Sequence, residues 1–336
     1  MTEISVIIPS NHGHHDLQKI VRAICQQSIK PAEIVIVDSS IECGACPLEV
    51  SELCKYCGIS LIYVHQVHAL PGRARNIGLE LSSADLIAFI DVQTIPKPNW
   101  LEISSYILTK NPILGVWGGT HFKAYTTFER LVRDGFFGVQ IRRTLPGSVF
   151  DRKVFDKVGQ FVDWARAGED TEWMLRVELL NVPVEFPSYA LIDYVGLNGL
   201  DMKTLLRKWQ RNYMASRGLP HFIPQKLILW LIFYPFLFLI AFNWNYLIAD
   251  WRIESPFYLA HVTKIVAMLP IFSYIVIRGI VVPYKRGVAL KQLLPIRFIA
   301  ITFICFMADA VKVLVLSFPK RKHGSSASNY EIKISI

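Results

Sequence analysis

The strongest constraint on this chain is where its apolar residues lie: segments near residues 227–249, 257–283 and 295–318 each reach the ~20 residues that a membrane-spanning helix needs. Apolar residue types make up 52% of the 336, high for a soluble protein, and the excess falls after about residue 226. Two solvents therefore act on one chain. What precedes residue 226 is long enough for one substantial α/β domain. The expected division is a folded domain over 1–199, an amphipathic helix and linker over 200–225, a transmembrane region over 226–318 and a polar tail over 319–336.

The amphipathic helix is read from Met202, Leu205, Leu206, Trp209 and Tyr213, which recur at helical spacing, with Lys203, Arg207, Lys208 and Arg211 on other faces. Such a helix lies on a membrane surface, or else packs on the preceding domain. The formal charge of +9 favours the membrane, because many Lys and Arg residues sit beside the hydrophobic segments, where anionic lipid headgroups are. No nucleic-acid-binding motif occurs, so nucleic acid is not an expected partner. The start MTEISVIIPS lacks the order of a secretory signal, so the first domain is expected in the cytoplasm, and with the hydrophobic segments the expected location is the inner (plasma) membrane as a multi-pass protein. Lys285, Arg286 and Lys291, between the second and third segments, agree with two crossings that start and end inside. The basic residues Lys320, Arg321 and Lys322 should be inside by the same rule, yet a third crossing puts them outside. The third segment is then re-entrant or interfacial, or the rule fails. Lys264, Arg297, Asp309 and Lys312 are costly in lipid unless they snorkel, pair or face a polar cavity. Asp309 and Lys312, three apart, suggest a mutual ion pair or a lipid-phosphate contact by Lys312.

In the first domain SVIIP (5–9), EIVIVDSS (33–40), SLIYVH (60–65), LIAFID (86–91) and GVWGGT (115–120) read as strands, with helices over about 16–27 and 74–82. Short Val/Ile-rich runs spaced by helices predict a mostly parallel, Rossmann-like sheet. In such sheets ligands bind beyond the carboxyl ends of the strands, where Pro9, Asp38 and Asp91 fall. Residues 147–182 read as a connecting loop followed by a helix over about 171–180.

SVIIPS, IVIVDSS, PGRARNIGL, IAFIDVQT and GEDTEWMLR occur in the order and approximate spacing of family 2 glycosyltransferases of the GT-A fold, which the chain resembles over about residues 3–215. The resemblance implies that residues 1–199 form a nucleotide-sugar-binding catalytic domain. In it, Pro9 and Ser10 flank the nucleotide base, and Asp38 hydrogen-bonds base or ribose unless it only caps a turn or helix. Arg75 and Asn76 match the family's Arg-Asn pair, the guanidinium being suited to a diphosphate, with Arg73 a second candidate. Asp91 matches the first carboxylate of an Asp-x-Asp that holds Mg²⁺ or Mn²⁺ between the phosphates. The third position here is Gln93, a poorer ligand, so a metal would be held mainly once the diphosphate arrives. Glu169 and Asp170 match the Glu-Asp pair beyond the acceptor-side loop, with Asp170 at the position of the catalytic base; the alternative is an acidic helix start. A carboxylate facing away from the leaving diphosphate deprotonates the acceptor hydroxyl as it attacks the anomeric carbon, which inverts it.

KWQRNYMASRG loosely resembles the family's arginine- and aromatic-rich segment near the acceptor, which makes Trp209, Arg207 and Arg211 acceptor-side candidates. The order differs from the Gln-x-x-Arg-Trp of processive synthases and the hydrophobic segments are few, so transfer of a single sugar is expected. The implied activity is inverting transfer from a nucleotide diphosphate, UDP first among them, to a lipid-linked acceptor in glycan or polysaccharide assembly. The alternatives are a polyprenyl-phosphate acceptor bound through Arg207 and Arg211, and a non-catalytic membrane scaffold suggested by Gln93.

Cys43, Cys46, Cys54 and Cys57 form two C-x-x-C pairs separated by seven residues. Thiolates at this spacing can wrap structural Zn²⁺ or an iron-sulfur cluster, but the spacer is short for a zinc ribbon, and free thiols or a redox pair remain alternatives. Cys25 and Cys305 read as isolated residues, and His12, His14 and His15 as an exposed loop.

Overall fold

A computed structural model describes residues 3–11, 14–41, 45–216, 219, 236, 239–240, 243–247 and 252–317. Four parallel strands build one half of a nine-stranded sheet: β3 (Ser60–His65), β2 (Glu33–Asp38), β1 (Ile4–Ser10) and β4 (Leu86–Phe89), in that spatial order. Every residue of β2 is buried, as its unbroken apolar run demands of a strand covered on both faces. The sheet continues through β7 (Arg142–Asp151), β6 (Gly115–Phe122), β9 (Ile192–Tyr194) and β5 (Thr94–Pro96), with β8 (Val184–Glu185) beside β6. The expected mostly parallel sheet is present, with antiparallel pairing at β4–β7, β6–β7 and β5–β9. The sheet is mixed. β7 carries Pro146 and Gly147 opposite a register shift between Val116 and Gly118, and such residues read in sequence as a loop.

Helices cover both faces. On one, α1 (His14–Cys25), α2 (Leu48–Cys57) and α4 (Trp100–Lys110) bury Ile20, Ile24, Val50 and Trp100 against Val6, Ile8 and Ile36. On the other, α3 (Pro71–Leu81), α6 (Lys153–Val158) and α7 (Glu169–Leu179) enclose Ile7, Phe89, Phe150, Phe161 and Trp173. The Trp173 ring lies 4.9 Å from that of Phe161 and 5.1 Å from that of Phe150.

The amphipathic helix is present as α8 (Met202–Ser216), but its apolar stripe packs on protein. Leu205, Met202 and Trp209 join Val132, Phe136 and Ile304, with the Trp209 and Phe136 rings 4.1 Å apart. Beyond it, α9 (Val262–Val276), a π-helical turn (Ile277–Val281) and α10 (Val282–Lys285) run on without a break, followed by α11 (Leu290–Leu293) and α12 (Arg297–Ser317). Two stretches, Met268–Lys285 and Arg297–Val315, are long and apolar enough to cross a membrane. The expected span over 227–249 lies outside the described residues apart from short pieces, and so does the tail over 319–336.

The expected Asp309–Lys312 pair does not form. Asp309 takes the Arg278 guanidinium at 3.0 Å and the Tyr274 hydroxyl at 2.8 Å, while Lys312 stands 5.6 Å over the Tyr213 ring. A planar guanidinium offers several donors in a fixed fork, which suits a carboxylate better than a point-charge ammonium. Arg297 is likewise paired, with the fully buried Asp134 of α5 (Thr127–Phe136) at 2.6 Å. Asp134 also takes Arg133 at 2.9 Å, Arg286 donates to the Gly135 carbonyl at 2.8 Å, and Arg142 donates to the Phe136 and Phe137 carbonyls at 3.2 Å. These are the carbonyls that a helix end leaves without intrahelical donors.

Candidate active site

A cleft of about 840 Å³ opens at the carboxyl ends of β1 and β4, between the starts of α3 and α7 and the far end of α8. Pro9, Ser10, Ser39, Arg75, Asp91, Gln93, Arg166, Glu169, Asp170, Tyr194, Arg211 and Asn212 line it. The local sequence explains its walls. Pro71 occupies the first turn of α3, where its missing N–H costs nothing. At Gly72 a Cβ would come within 2.0 Å of the Val162 carbonyl oxygen, so only glycine lets the loop before α7 press on this helix. Asn76 fixes the same loop, its amide donating to the Phe161 carbonyl and accepting from the Phe161 N–H, both at 2.9 Å. Asn76 is therefore an anchor of the loop and does not line the cleft.

Arg75 lies at the centre, 3% exposed, donating to Glu169 at 2.7 Å and to Asp91 at 3.0 Å. Its fork, expected to hold a diphosphate, is spent on two carboxylates. Burial works against its charge, but Asp91 and Glu169 outweigh this and hold it cationic. Arg73 stands outside the cleft, 3.9 Å from Glu80. Gly168, at φ +88°, starts α7 in the left-handed region that suits glycine and sets Glu169 and Asp170 in the first turn, where the helix dipole favours acids. Glu169 points inward to Arg75. Asp170 is half-buried and accepts from the Thr171 N–H at 2.7 Å. Burial pushes the carboxyls of both Asp91 and Glu169 up, the Arg75 charge pulls them down, and the negative Asp170 adds to the rise.

Asp38 does not line the cleft. Its carboxylate accepts from the Ser40 N–H at 3.1 Å, the Ser40 hydroxyl at 2.8 Å and the Tyr63 hydroxyl at 2.8 Å. This is the turn reading of Asp38: it shapes the end of β2 so that Ser39, bonded to the Ser10 carbonyl at 2.9 Å, faces the cleft. Gln93 is exposed at the mouth, and its amide oxygen accepts from the Tyr194 hydroxyl at 3.1 Å, which in turn takes Lys208 at 3.4 Å. Of the three α8 candidates only Arg211 reaches the cleft. Arg207 is exposed elsewhere and Trp209 is packed on Phe136. Tyr194 and Arg166 line the cleft and fall in no sequence motif, while Asn212 lies within KWQRNYMASRG but was not among its candidates.

Cys43 lies outside the described residues; Cys46, Cys54 and Cys57 are free thiols. Among the described residues no group of three or more His, Cys, Asp or Glu side chains could hold a metal ion, so a Zn²⁺ site at the cysteines finds no support. Cys25 is not isolated, since it shares one core cluster with Cys54, against which Cys46 and Cys57 pack.

Residues 5–164, from β1 through α6, match the family described as Glycosyl transferase family 2. This domain belongs to that family. The helix that carries Glu169 and Asp170 follows the matched segment. The Pre-mycofactocin glycosyltransferase of Mycobacterium tuberculosis is 29% identical over 226 residues, covering 62% of this chain and 44% of the relative. Glycosyltransferase AglE of Haloferax volcanii is 25% identical over 186 residues, covering 52% of this chain and 60% of the relative. The chain thus spans roughly half the length of these curated relatives. Among solved structures, the mannosyltransferase PcManGT of Pyrobaculum calidifontis, in complex with GDP-Man and Mn²⁺, superposes with a TM-score of 0.53 at 14% identity, over 94% of this chain and 87% of that one. The last likeness is one of fold, the GT-A arrangement.

Proposed function

We propose that the protein is an inverting glycosyltransferase that moves one sugar from a nucleotide diphosphate, UDP first among them, to a lipid-linked acceptor at the cytoplasmic face of the inner membrane. What carries this reading is that Asp91 and Asp170 line one cleft of about 840 Å³, in which Arg75 ties Asp91 to Glu169, the residue next to Asp170. Pro9, Ser10 and Ser39 offer backbone and hydroxyl groups to a nucleoside at one end. The Asp91 carboxylate and the Gln93 amide are hard oxygen donors, which fit Mg²⁺ or Mn²⁺, with the remaining ligands coming from diphosphate and water. Such an ion, when bound, neutralises charge growing on the leaving diphosphate. Arg166 and Arg211 bring further positive charge to the same cleft. Asp170 accepts the proton of the acceptor hydroxyl, and the Glu169–Arg75 pair holds its helix in place.

The membrane side of the reading rests on the seam. Arg286 and Arg297, at either end of the loop between the two apolar helices, both dock on α5 of the folded domain. Domain and basic loop therefore share a side, which the positive-inside rule makes cytoplasmic.

The test is turnover by the purified full chain with a panel of nucleotide sugars and a membrane lipid extract, followed by mass spectrometry. Sugar transfer that disappears in Asp170→Asn supports the assignment. Transfer undiminished in Asp170→Asn removes the base, and failure to bind any nucleotide sugar leaves the scaffold reading in its place.

A further inference from the structure

The catalytic reading leaves one cluster unused, the thiols where α1 meets α2. Cys25 closes α1, while Cys54 and Cys57 lie in the last turns of α2. Cys25 and Cys54 are 7% and 1% exposed, and Cys46 and Cys57 pack against the same core. The Cys25 sulfur is 3.8 Å from the carbonyl oxygen of Leu53, so the two helices touch at this point. Leu53 immediately precedes Cys54 and stands one helical turn before Cys57, so both α2 thiols belong to the turn that the Cys25 sulfur touches. All of them are free. Among the described residues no cysteine lines the cleft, so the chemistry of these thiols is independent of the proposed reaction.

We propose that Cys25 and Cys57 are a redox modification site, at which a low-molecular-weight disulfide converts the two thiols into a disulfide that ties α1 to α2. Cys57, half-buried at the helix end, is the sulfur that a small disulfide in solution reaches. Its thiolate attacks one sulfur of that molecule, the S–S bond breaks, and one small thiolate leaves. Cys25 then attacks the Cys57 sulfur, and the second small thiol leaves with the Cys25 proton. Two protein thiols lose two electrons, and the small disulfide gains them as it becomes two thiols, so atoms and charge balance.

The neighbouring Cys54 side chain, together with burial, pushes the Cys25 thiol up, so Cys25 reacts second, once the adduct on Cys57 stands beside it. Burial also pushes Cys57 up, so the first attack quickens as pH rises.

The experiment treats the purified full chain with oxidised glutathione, blocks remaining thiols with an alkylating agent and maps the cysteines by peptide mass spectrometry. Most of the Cys25 should be recovered cross-linked to Cys57, faster at pH 8.5 than at about pH 7 by the thiolate fraction. Dithiothreitol should reverse the link, and the oxidised chain should unfold at a higher temperature than the reduced one. In Cys25→Ser the glutathione adduct should persist on Cys57. Should that variant fail to fold, Cys57→Ser changes a half-buried position instead, and there Cys25 should remain fully alkylatable. Recovery of Cys25 unlinked in the native chain while Cys57 keeps its adduct would overturn the proposal, and so would pairing of Cys57 with Cys54 inside α2 or of Cys25 with Cys54 in Cys57→Ser.

Discussion

Two buried ion clusters, one in the cleft and one at the seam with the apolar helices, are built from the same groups in opposite proportion. In the cleft a single guanidinium, Arg75, meets Asp91 and Glu169, with Asp170 close enough to raise both. At the seam a single carboxylate, Asp134, meets Arg133 and Arg297, while Arg142 and Arg286 satisfy the carbonyls at the end of α5. The seam answers its surplus of positive charge with backbone oxygens of its own chain. In the cleft the carboxylates outnumber the one buried guanidinium, and the other two cations of its lining, Arg166 and Arg211, are exposed. A buried cluster with its partners complete holds parts together, and one short of cations awaits them from a ligand.

Exchanging a carboxylate for its amide in each cluster is the sharpest way to break this contrast. Asp170→Asn should cost about 10²–10⁴ in turnover, the range for a positioned general base, with the unfolding midpoint nearly unchanged. Asp134→Asn should do the reverse. Removing the buried carboxylate that two half-buried guanidiniums share costs up to about 3–5 kcal/mol, read as a lower unfolding midpoint, while nucleotide-sugar affinity of the folded fraction stays as it was. If the seam variant lost affinity and kept its stability, the division into a binding cluster and a fastening cluster would be wrong. A smaller change sharpens the cleft half alone. Gln93→Asp adds a charge to the oxygen donors beside Asp91 and should tighten divalent-ion binding about tenfold in calorimetry with the nucleotide present.

How much of this could be read from sequence differs between the same two regions. β1 to β4, α3 and α7 were legible because apolar runs alternate with helical spacing, and Asp91 and Asp170 were legible as motif residues at the ends of such elements. β7 was not, since Pro146 and Gly147 interrupt it, whereas α5 left a mark that went unused, the capping box of Thr126 and Glu129. The roles of Arg75 and Asn76 were hidden for a different reason. Their partners, Glu169 and Phe161, lie 94 and 85 residues away, and no local pattern announces which buried polar group a side chain will find. The seam was visible only as cost: Arg297 looked misplaced in an apolar segment until Asp134 stood opposite it.

Acid titration gives the finest separation of binding from folding. Burial pushes the Asp91 carboxyl up, so as pH falls it takes a proton above the ordinary carboxylate range, and nucleotide-sugar and metal binding should be lost there. Glu33 has the opposite shift. Burial raises it, but bonds from the Ser5 hydroxyl and from the N–H and hydroxyl of Ser83 outweigh that and hold it down. A carboxyl depressed in the folded state contributes stability that is complete above its unfolded pKa of about 4.3 and disappears as pH falls through the lower folded value. Donor binding should therefore fail at a higher pH than the fold does, leaving an interval in which the protein is folded and unable to bind. Asp91→Asn should abolish the upper step in a pH series of binding, and Glu33→Gln should flatten the lower one in a pH series of unfolding midpoints. Coincidence of the two steps in the native chain would mean that binding is lost only because the sheet comes apart, and the carboxylates of the cleft would then have no separate consequence.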